Sequence, residues 1–224
     1  MSSASLIVAL ASSPEVLTSD GRELVQAAAT IQGQQPINVV VRSNTKAAVA
    51  GALKQCSPGD LIICSGDVVL DKDNNVPIVT THVLCKAHPD QYLNEVTIVG
   101  NIGGDPKTTE SGKSTKRSVA LNRPFRNPDT GEMEERTHWF QVRGYGTTST
   151  RLCDIGKGSL VEVTGSFEQM TNKGGESYCE LKIRRLKVVR KPRNSSPAAG
   201  TTAVGYDQDS FSGSGDLDQD DWNS

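Results

Sequence analysis

Short runs in which polar and apolar residues alternate, separated by turn sequences, fill the chain from position 93 onward. These runs lie at 95–100, 117–122, 137–143, 160–164 and 178–183. Alternation with a period of two is typical of half-buried strands, so the pattern predicts a small barrel of five strands. An irregular segment at 145–155 predicts a short helix, and the polar stretch at 123–135 predicts a loop. Five strands and one helix are the elements of an OB-fold, a Greek-key barrel.

The first part of the chain repeats this order of elements. Residues 59–66 and 158–165 both run from one glycine to another around an apolar stretch. Runs at 37–41 and 79–85 correspond to the third and last strands, and residues 45–53 correspond to the helix. The sequence therefore predicts an all-β chain of two tandem five-stranded OB-fold barrels, each with a short helix. We expect a degenerate OB-like domain at 1–91 and an OB-fold domain at 92–193.

Charge and aromatic residues are distributed very unevenly. Lys and Arg against Asp and Glu number 6 to 8 in residues 1–91, 18 to 12 in residues 92–193 and 0 to 6 in residues 194–224. The resulting net charges of −2, +6 and −6 sum to the −2 of the whole chain. All ten aromatic residues follow position 91. Cations interleaved with aromatic rings are typical of surfaces for single-stranded nucleic acid, because cations follow the backbone while rings stack on any base.

Residues 194–224 contain mostly Ser, Gly, Ala, Thr, Pro and Asp. Such a segment cannot bury enough apolar area to offset its ordering entropy, which predicts a disordered acidic tail. Its end holds a cluster that we expect to bind partner proteins, formed by Asp218, Asp220, Asp221 and Trp222. An acidic tail beside a basic domain is typical of an interaction tail.

Three aromatic residues are candidates for stacking on bases: Phe125, Trp139 and Tyr145. Trp139 alternates with Phe140 and Val142, which supply an inward set, so Trp139 and Arg143 are predicted to share the outer face. A tryptophan in a strand is otherwise more often part of the core. Phe125 lies between two arginines in a polar segment and is predicted to be exposed. Phe167 and Tyr92 are expected to face the core.

The basic residues of the second half are candidates for phosphate contacts. A charge run is often only a solvated surface, but beside an aromatic strand phosphate contact becomes the stronger interpretation. The candidates are Lys107, Lys113, Lys116, Arg117, Arg123, Arg126, Arg143 and Arg184.

No motif for catalysis, a metal or a cofactor is present in the sequence. The five cysteines are scattered without C-x-x-C spacing, and the three histidines have no ligand-like spacing to them, which favours reduced thiols over a metal site. Gly112-Lys113-Ser114 does not form a phosphate-binding loop, because position 107 holds Lys in place of the required glycine. No apolar run reaches the roughly 18 residues of a membrane helix, and the N-terminus is expected to be a strand, not a signal peptide. We expect a cytoplasmic, nucleoid-associated protein without enzymatic activity.

Residues 93–190 resemble the bacterial single-stranded DNA-binding protein family. The matching elements are Leu-Asn at 93–94, Val-Gly-Asn at 99–101, Asp-Pro at 105–106, Gly112, Val-Ala-Leu at 119–121, Thr-Gly-Glu-Met at 130–133, Thr-His-Trp at 137–139, Gly-Lys-Gly at 156–158 and Val-Glu-Val-Thr-Gly at 161–165. The resemblance implies that Phe125, Trp139 and Tyr145 stack on bases. It also implies a homo-oligomer, either a homodimer of tandem barrels or a homotetramer.

The chain departs from that family at three places. A further family tryptophan after the fourth strand has no equivalent, since Gln169 and Met170 lead directly into a turn. The first barrel has no aromatic residues, which favours a role for it in assembly over a role in binding DNA. The tail keeps acids and Trp222 but lacks the family's Pro-Phe tip, which recruits replication and repair proteins.

Two functional classes follow from these observations. The leading one is a non-enzymatic protein that coats single-stranded DNA in replication, recombination and repair, with little sequence preference. The alternative is an OB-fold interaction module of a replication-restart or RNA-binding assembly. Base stacking by itself does not distinguish DNA from RNA.

Overall fold

Eleven strands and two short helices form the part of the chain that the computed structural model describes, residues 1–192 without positions 20, 21, 34, 72, 73, 128, 129, 172 and 173. The expected tail at 194–224 lies outside these residues. The elements of the first half are β1 (Ser2–Leu10), β2 (Glu15–Ser19), β3 (Arg22–Ile31), β4 (Ile37–Asn44), α1 (Ala48–Lys54), β5 (Leu61–Leu70) and β6 (Pro77–Lys86). Those of the second half are β7 (Asn94–Thr108), β8 (Ser114–Arg126), β9 (Met133–Tyr145), α2 (Thr147–Asp154), β10 (Leu160–Thr171) and β11 (Ser177–Arg190).

Each half closes into a five-stranded barrel, as the sequence predicted. In the first half, β1 pairs with both β3 and β5, and β4 pairs with β6 in parallel. In the second half, β7 pairs with both β8 and β10, and β9 pairs with β11 in parallel. In the first barrel, β1 and β2 both pair with β3. In the second barrel, the single long strand β7 takes both positions and pairs with β8 on each side of a register shift between Gly103 and Lys107. Two tandem OB-folds are therefore confirmed.

The two barrels share a continuous sheet. Strand β1 pairs antiparallel with β7 from Ser2 opposite Ile98 to Leu6 opposite Asn94. Both strands also pair within their own barrels, β1 with β5 and β7 with β10. Arg123 adds a side-chain link, because its guanidinium donates to the Ser2 hydroxyl and carbonyl and pairs with Asp67 at 3.4 Å.

Alternation places the apolar residues inside the barrels. On β9, Phe140 and Val142 are at most 1% exposed, whereas Trp139, directly before Phe140 on the same strand, is 52% exposed. On β4, Val39 and Val41 are buried in the same way. The helices close one end of each barrel through Leu53 of α1 and Leu152 of α2, both fully buried.

Two equivalent glycines bend one strand in each barrel. A Cβ on Gly66 of β5 would lie 2.0 Å from the carbonyl oxygen of Thr80, and a Cβ on Gly165 of β10 would lie 2.0 Å from that of Lys182. The strand pairing shifts register at both glycines. The glycine-to-glycine match between residues 59–66 and 158–165 therefore marks the same local structure twice.

The segment at 123–135 is where the fold differs most from the expectation. It was predicted to be a polar loop, but β8 continues to Arg126 and β9 begins at Met133, so the segment is a long paired hairpin. Cross-strand pairs such as Phe125 with Glu134 continue the ladder into solvent-facing residues. The prediction was wrong because apolar alternation ends before backbone pairing does.

Candidate nucleic-acid interface

One side of the second barrel carries the aromatic residues that the sequence singled out. We call it the outer face, the side of β8, β9 and β11 that points away from the barrel core. In the strand register, Lys116 lies beside Arg143, and Arg143 lies beside Lys182. The residues that form the outer face are Lys116, Ser118, Trp139, Gln141, Arg143, Tyr145, Tyr178, Glu180 and Lys182.

Trp139 points outward, as predicted, and is the most exposed aromatic residue on this face. Its ring lies against β7, where a Cβ added to Gly103 would come within 2.6 Å of Trp139 Cζ3. Gly103 thus provides the space that lets the indole lie on the sheet. Because half of the residue remains exposed, its ring can accept a stacked base.

Tyr145 lies at the end of β9 and is 41% exposed. Its hydroxyl donates to Glu168 Oε2 at 3.4 Å, and Lys182 Nζ lies 5.3 Å from the ring centre. Burial and the nearby Glu168 carboxylate raise the pKa of the phenol, so Tyr145 is neutral at physiological pH. A neutral ring with a cation beside it suits both stacking and phosphate contact.

A buried carboxylate lies at the centre of the outer face. Glu180 is 2% exposed and accepts a hydrogen bond from Arg143 Nε at 2.6 Å, while Lys116 pairs with its other oxygen. Burial acts to raise the pKa of Glu180, but the bonds from Arg143 and Lys116 outweigh it and the pKa is lowered. Burial also acts to lower the pKa of Arg143, but the hydrogen bond to Glu180 and the charge of that carboxylate raise it. Arg143 and Lys116 were both predicted to contact phosphate, and their positive charges are therefore partly neutralised by Glu180.

The sequence interpretation missed the residues that β11 contributes to this face: Tyr178, Glu180 and Lys182. Lys116 Nζ lies 4.6 Å from the centre of the Tyr178 ring, so this tyrosine is the third aromatic ring of the face, with Trp139 and Tyr145. Their even-numbered positions on β11, opposite in parity to buried Cys179, Leu181 and Ile183, were the signal that could have identified them.

Phe125 lies away from the barrel, on the long β8–β9 hairpin. It is half-buried, and the guanidinium of Arg136, its diagonal neighbour on β9, lies 4.4 Å from its ring centre. The cation over this ring therefore comes from the paired strand β9. The sequence predicted an exposed ring, but Phe125 is only partly exposed. Phe125 also lines a cleft with residues of the first barrel, including Arg22 and Arg42. The structure thus separates Phe125 from Trp139 and Tyr145.

Arg117 was predicted to contact phosphate, and its position contradicts that role. It is 3% exposed, and its guanidinium donates to the carbonyl oxygens of Leu152, Ile155 and Gly104. Burial lowers its pKa, with partial compensation from Asp105 and Cys153. Arg117 fastens α2 to the barrel and has no donor directed at the outer face.

The other basic candidates divide into exposed and engaged residues. Lys107, Lys113 and Arg126 are exposed. Arg184 keeps about half of its side chain exposed (54%) although it donates to the carbonyl oxygens of Asn94 and Gly165. Arg123 is engaged at the junction of the barrels.

The two remaining aromatic predictions have opposite outcomes. Phe167 is buried, as expected, at 4% exposure. Tyr92 was expected to be part of the core but is 66% exposed. The reason is its place in the connection between β6 and β7, before the alternation of the second barrel begins. The acidic cluster with Trp222 lies outside the described residues.

The residues that the structure describes contain neither a candidate metal site nor a candidate membrane-spanning helix. No group of three or more His, Cys, Asp or Glu side chains in this part of the chain could hold a metal ion. None of its helices is long and apolar enough to cross a membrane.

Comparison with known proteins agrees with the geometry. The model of the single-strand binding protein family matches residues 93–189. The single-stranded DNA-binding protein of Thermosynechococcus vestitus is 30% identical over 116 residues, 48% of this chain and 91% of that protein. Single-stranded DNA-binding protein 1 of Xylella fastidiosa is 25% identical over 130 residues, 53% of this chain and 96% of that protein.

A solved structure extends the similarity to the first barrel. The crystal structure of the wild-type single-stranded DNA-binding protein from Thermus aquaticus matches with a TM-score of 0.59 and 19% identity. The match covers 92% of this chain and 97% of that one, so both barrels have counterparts in its fold. Together with the family match over the second barrel, these relatives show that the chain belongs to the single-strand binding protein family.

Proposed function

We propose that this chain binds single-stranded DNA with little sequence preference and coats it during replication, recombination and repair, without catalysing a reaction. The observation that carries the proposal is the exposed Trp139 on the outer face of a barrel that belongs to this family. Tyr145 lies at the end of the same strand, six residues along and on the same side of the sheet.

Base stacking supplies the main attraction in this proposal. Each stacked base contributes about 1–3 kcal/mol, and rings accept all four bases. Lys113 is exposed, and Lys182 and Arg184 keep 47% and 54% of their side chains exposed although they pair with Glu168 and Glu95. Arg143 and Lys116, by contrast, are paired with the buried Glu180. Binding should therefore depend on salt with a modest slope, because few phosphates are neutralised.

Tryptophan fluorescence tests this function directly. The chain has two tryptophans, so in the Trp222→Phe variant all tryptophan emission comes from Trp139. Titration with poly(dT) at low and high salt should quench this emission, with weaker binding at high salt. A folded variant that shows no quenching would exclude DNA from the outer face and leave the partner-module interpretation. A parallel titration with poly(U) separates DNA from RNA preference.

The assembly follows from the two barrels in each chain. A homodimer would bring together four barrels, and light scattering should then give twice the chain mass of 23.9 kDa. We expect the protein to act in the cytoplasm at the nucleoid.

The acidic residues of the tail, with Trp222, would bind replication and repair proteins and compete with DNA for the basic surface. Removal of residues 194–224 should then tighten DNA binding at low salt, and an unchanged affinity would remove that role.

A further inference from the structure

A groove of about 770 Å³ lies between the two barrels, beside the outer face. We call it the inter-barrel groove. On one side it is lined by the β3–β4 turn, including Gln32 and Gln35, and on the other by residues 166–171 of β10. Tyr92 and Tyr145 also line it. Its volume lies within the range of about 300–1,000 Å³ that is typical of sites for small organic groups.

Tyr92 is held in place although most of it is exposed. Its hydroxyl accepts a hydrogen bond from Asn94 Nδ2 at 3.4 Å. Asn94 is itself fixed to β10, because its amide donates to the Phe167 carbonyl at 3.0 Å and accepts from the Phe167 N–H at 2.9 Å. An exposed ring whose position is set by a buried side chain loses little entropy when a flat ligand stacks on it.

The charges of the inter-barrel groove do not suit a phosphate. Among the described residues that line it, the charged side chains are Glu168 and Lys182, which pair with each other at 3.2 Å. The other polar lining side chains include the amides of Gln32, Gln35 and Gln169. An amide offers both donors and an acceptor, which is the chemistry that recognises the edge of a nucleobase.

We propose that the inter-barrel groove is a nucleobase site, in which Tyr92 and Tyr145 are stacking platforms and the glutamines contact the base edges. Single-stranded DNA that leaves the outer face at Tyr145 would place its next bases in this groove, with the phosphates outside. The first barrel would contribute to binding through Gln32 and Gln35. This inference rests on the proposed function and adds a subsite to it.

The test compares Tyr92→Ala, Tyr92→Phe and Val83→Ala, each in the Trp222→Phe background. Val83 is an exposed residue of β6 (56%) that does not line the inter-barrel groove, so it controls for loss of exposed apolar surface. Trp139 quenching by poly(dT) gives the affinity at several salt concentrations. Tyr92→Ala should weaken binding roughly 5- to 150-fold, which corresponds to the loss of one stacked base. The slope against salt should not change, because no phosphate contact is lost.

The controls separate the possible results. Val83→Ala should bind like the parent protein, because this side chain lies outside the groove. Tyr92→Phe keeps the ring but loses the hydrogen bond from Asn94, so it should weaken binding less than Tyr92→Ala. A Tyr92→Ala protein with parental affinity, or with a changed salt slope, would overturn the base site while leaving the proposed function intact. Absence of Trp139 quenching in the parent would remove both.

A second measurement does not depend on any variant being folded. Oligo(dT) that carries 5-iodouracil can be crosslinked to the parent protein by light, and the modified peptides can be mapped. Crosslinks at Tyr92 support the base site. Crosslinks at Trp139 and Tyr145 with none at Tyr92 would overturn it.

Discussion

The two barrels of this chain have the same strand plan and opposite surface chemistry. In the parallel pairing of each barrel, Arg42 lies beside Thr80 and Arg143 lies beside Lys182. Counting along the strands from these pairs, Trp139 corresponds to Asn38 and Glu180 corresponds to Ile78. The positions that carry an aromatic ring and a buried carboxylate in the second barrel thus carry an amide and an aliphatic group in the first.

The difference teaches that the inward and outward residues of a barrel strand vary independently. Inward positions keep Val39 and Val41 in one barrel and Phe140 and Val142 in the other, all buried. Since successive side chains point to opposite sides, the outer face can lose its stacking residues without disturbing the core. The first barrel has the same fold as the second but no aromatic residues on its surface.

The largest effect is expected where the two barrels are most alike. Gly66→Ala and Gly165→Ala should each lower the free energy of unfolding by about 3 kcal/mol, because the new Cβ meets a backbone carbonyl at 2.0 Å. Gly51→Ala, in α1 with open space around it, is the control and should stabilise by about 0.5–1 kcal/mol. Urea denaturation followed by circular dichroism measures all three. Tolerance of one glycine substitution only would break the equivalence of the barrels.

The second prediction sharpens the contrast between the outer surfaces. Trp139→Ala should lower the affinity for single-stranded DNA by about 1–3 kcal/mol, through the loss of a stacked base. Asn38→Ala, its register counterpart in the first barrel, should leave the affinity unchanged. Fluorescence anisotropy of a labelled oligo(dT) measures both, since one variant lacks the tryptophan. Equal losses would show that both barrels bind DNA through this position.

The third prediction concerns Glu180, whose counterpart Ile78 cannot titrate. Glu180→Gln should destabilise the protein by about 1–2 kcal/mol at pH 7, because Arg143 and Lys116 lose a buried charged partner. Since its pKa is lowered by folding, the contribution is complete above the unfolded value of about 4.3 and is lost as pH falls through the folded value. The difference in stability between the variant and the parent should therefore shrink as the pH falls below about 4.3.

A matched control isolates the effect of burial on this pair. Glu168→Gln removes an ion pair with Lys182 in which 34% and 47% of the side chains are exposed. Its effect should stay below about 1 kcal/mol, because solvent screens such pairs. A Glu180→Gln effect that did not diminish in acid would show that shape, and not charge, accounts for the loss.

The smallest difference separates two thiols near the helices. Hydrogen bonds from Thr108 and Thr115 lower the pKa of Cys153, whereas burial, with a smaller effect of Asp60, raises the pKa of Cys56. In a Cys85→Ser protein, iodoacetamide should therefore modify Cys153 faster than Cys56 between pH 7 and 8. Cys64 should stay unmodified, since burial raises its pKa to about 12. Peptide mapping by mass spectrometry follows the three sites, and equal rates for Cys56 and Cys153 would contradict this prediction.

Alternation and turn signals were enough to predict the barrels and the orientation of Trp139. They failed at Arg117, where the charge run suggested the surface although its parity with Val119 and Leu121 indicates the inside. Whether an inward arginine is tolerated depends on acceptors from distant segments, here the carbonyl oxygens of Leu152 in α2, of Ile155 directly after it, and of Gly104. No local pattern contains that information.

The predictions of a loop at 123–135 and of a buried Tyr92 failed for related reasons. Backbone pairing extended the β8–β9 hairpin beyond its apolar residues, which moved Phe125 away from the other rings and toward the first barrel. Tyr92 lies in a connection with no periodic pattern, so its exposure depends on where the two barrels meet.

The sequence by itself determined two barrels, their order and the side of β9 that carries Trp139, because side-chain direction follows from a local period of two. Tertiary structure alone decided that β1 and β7 join the barrels in one sheet, that Glu180 takes up Arg143 and Lys116, and that Tyr92 and Tyr145 line one groove. These are contacts between segments far apart in the chain, and their geometry is set by barrel closure and not by any local preference.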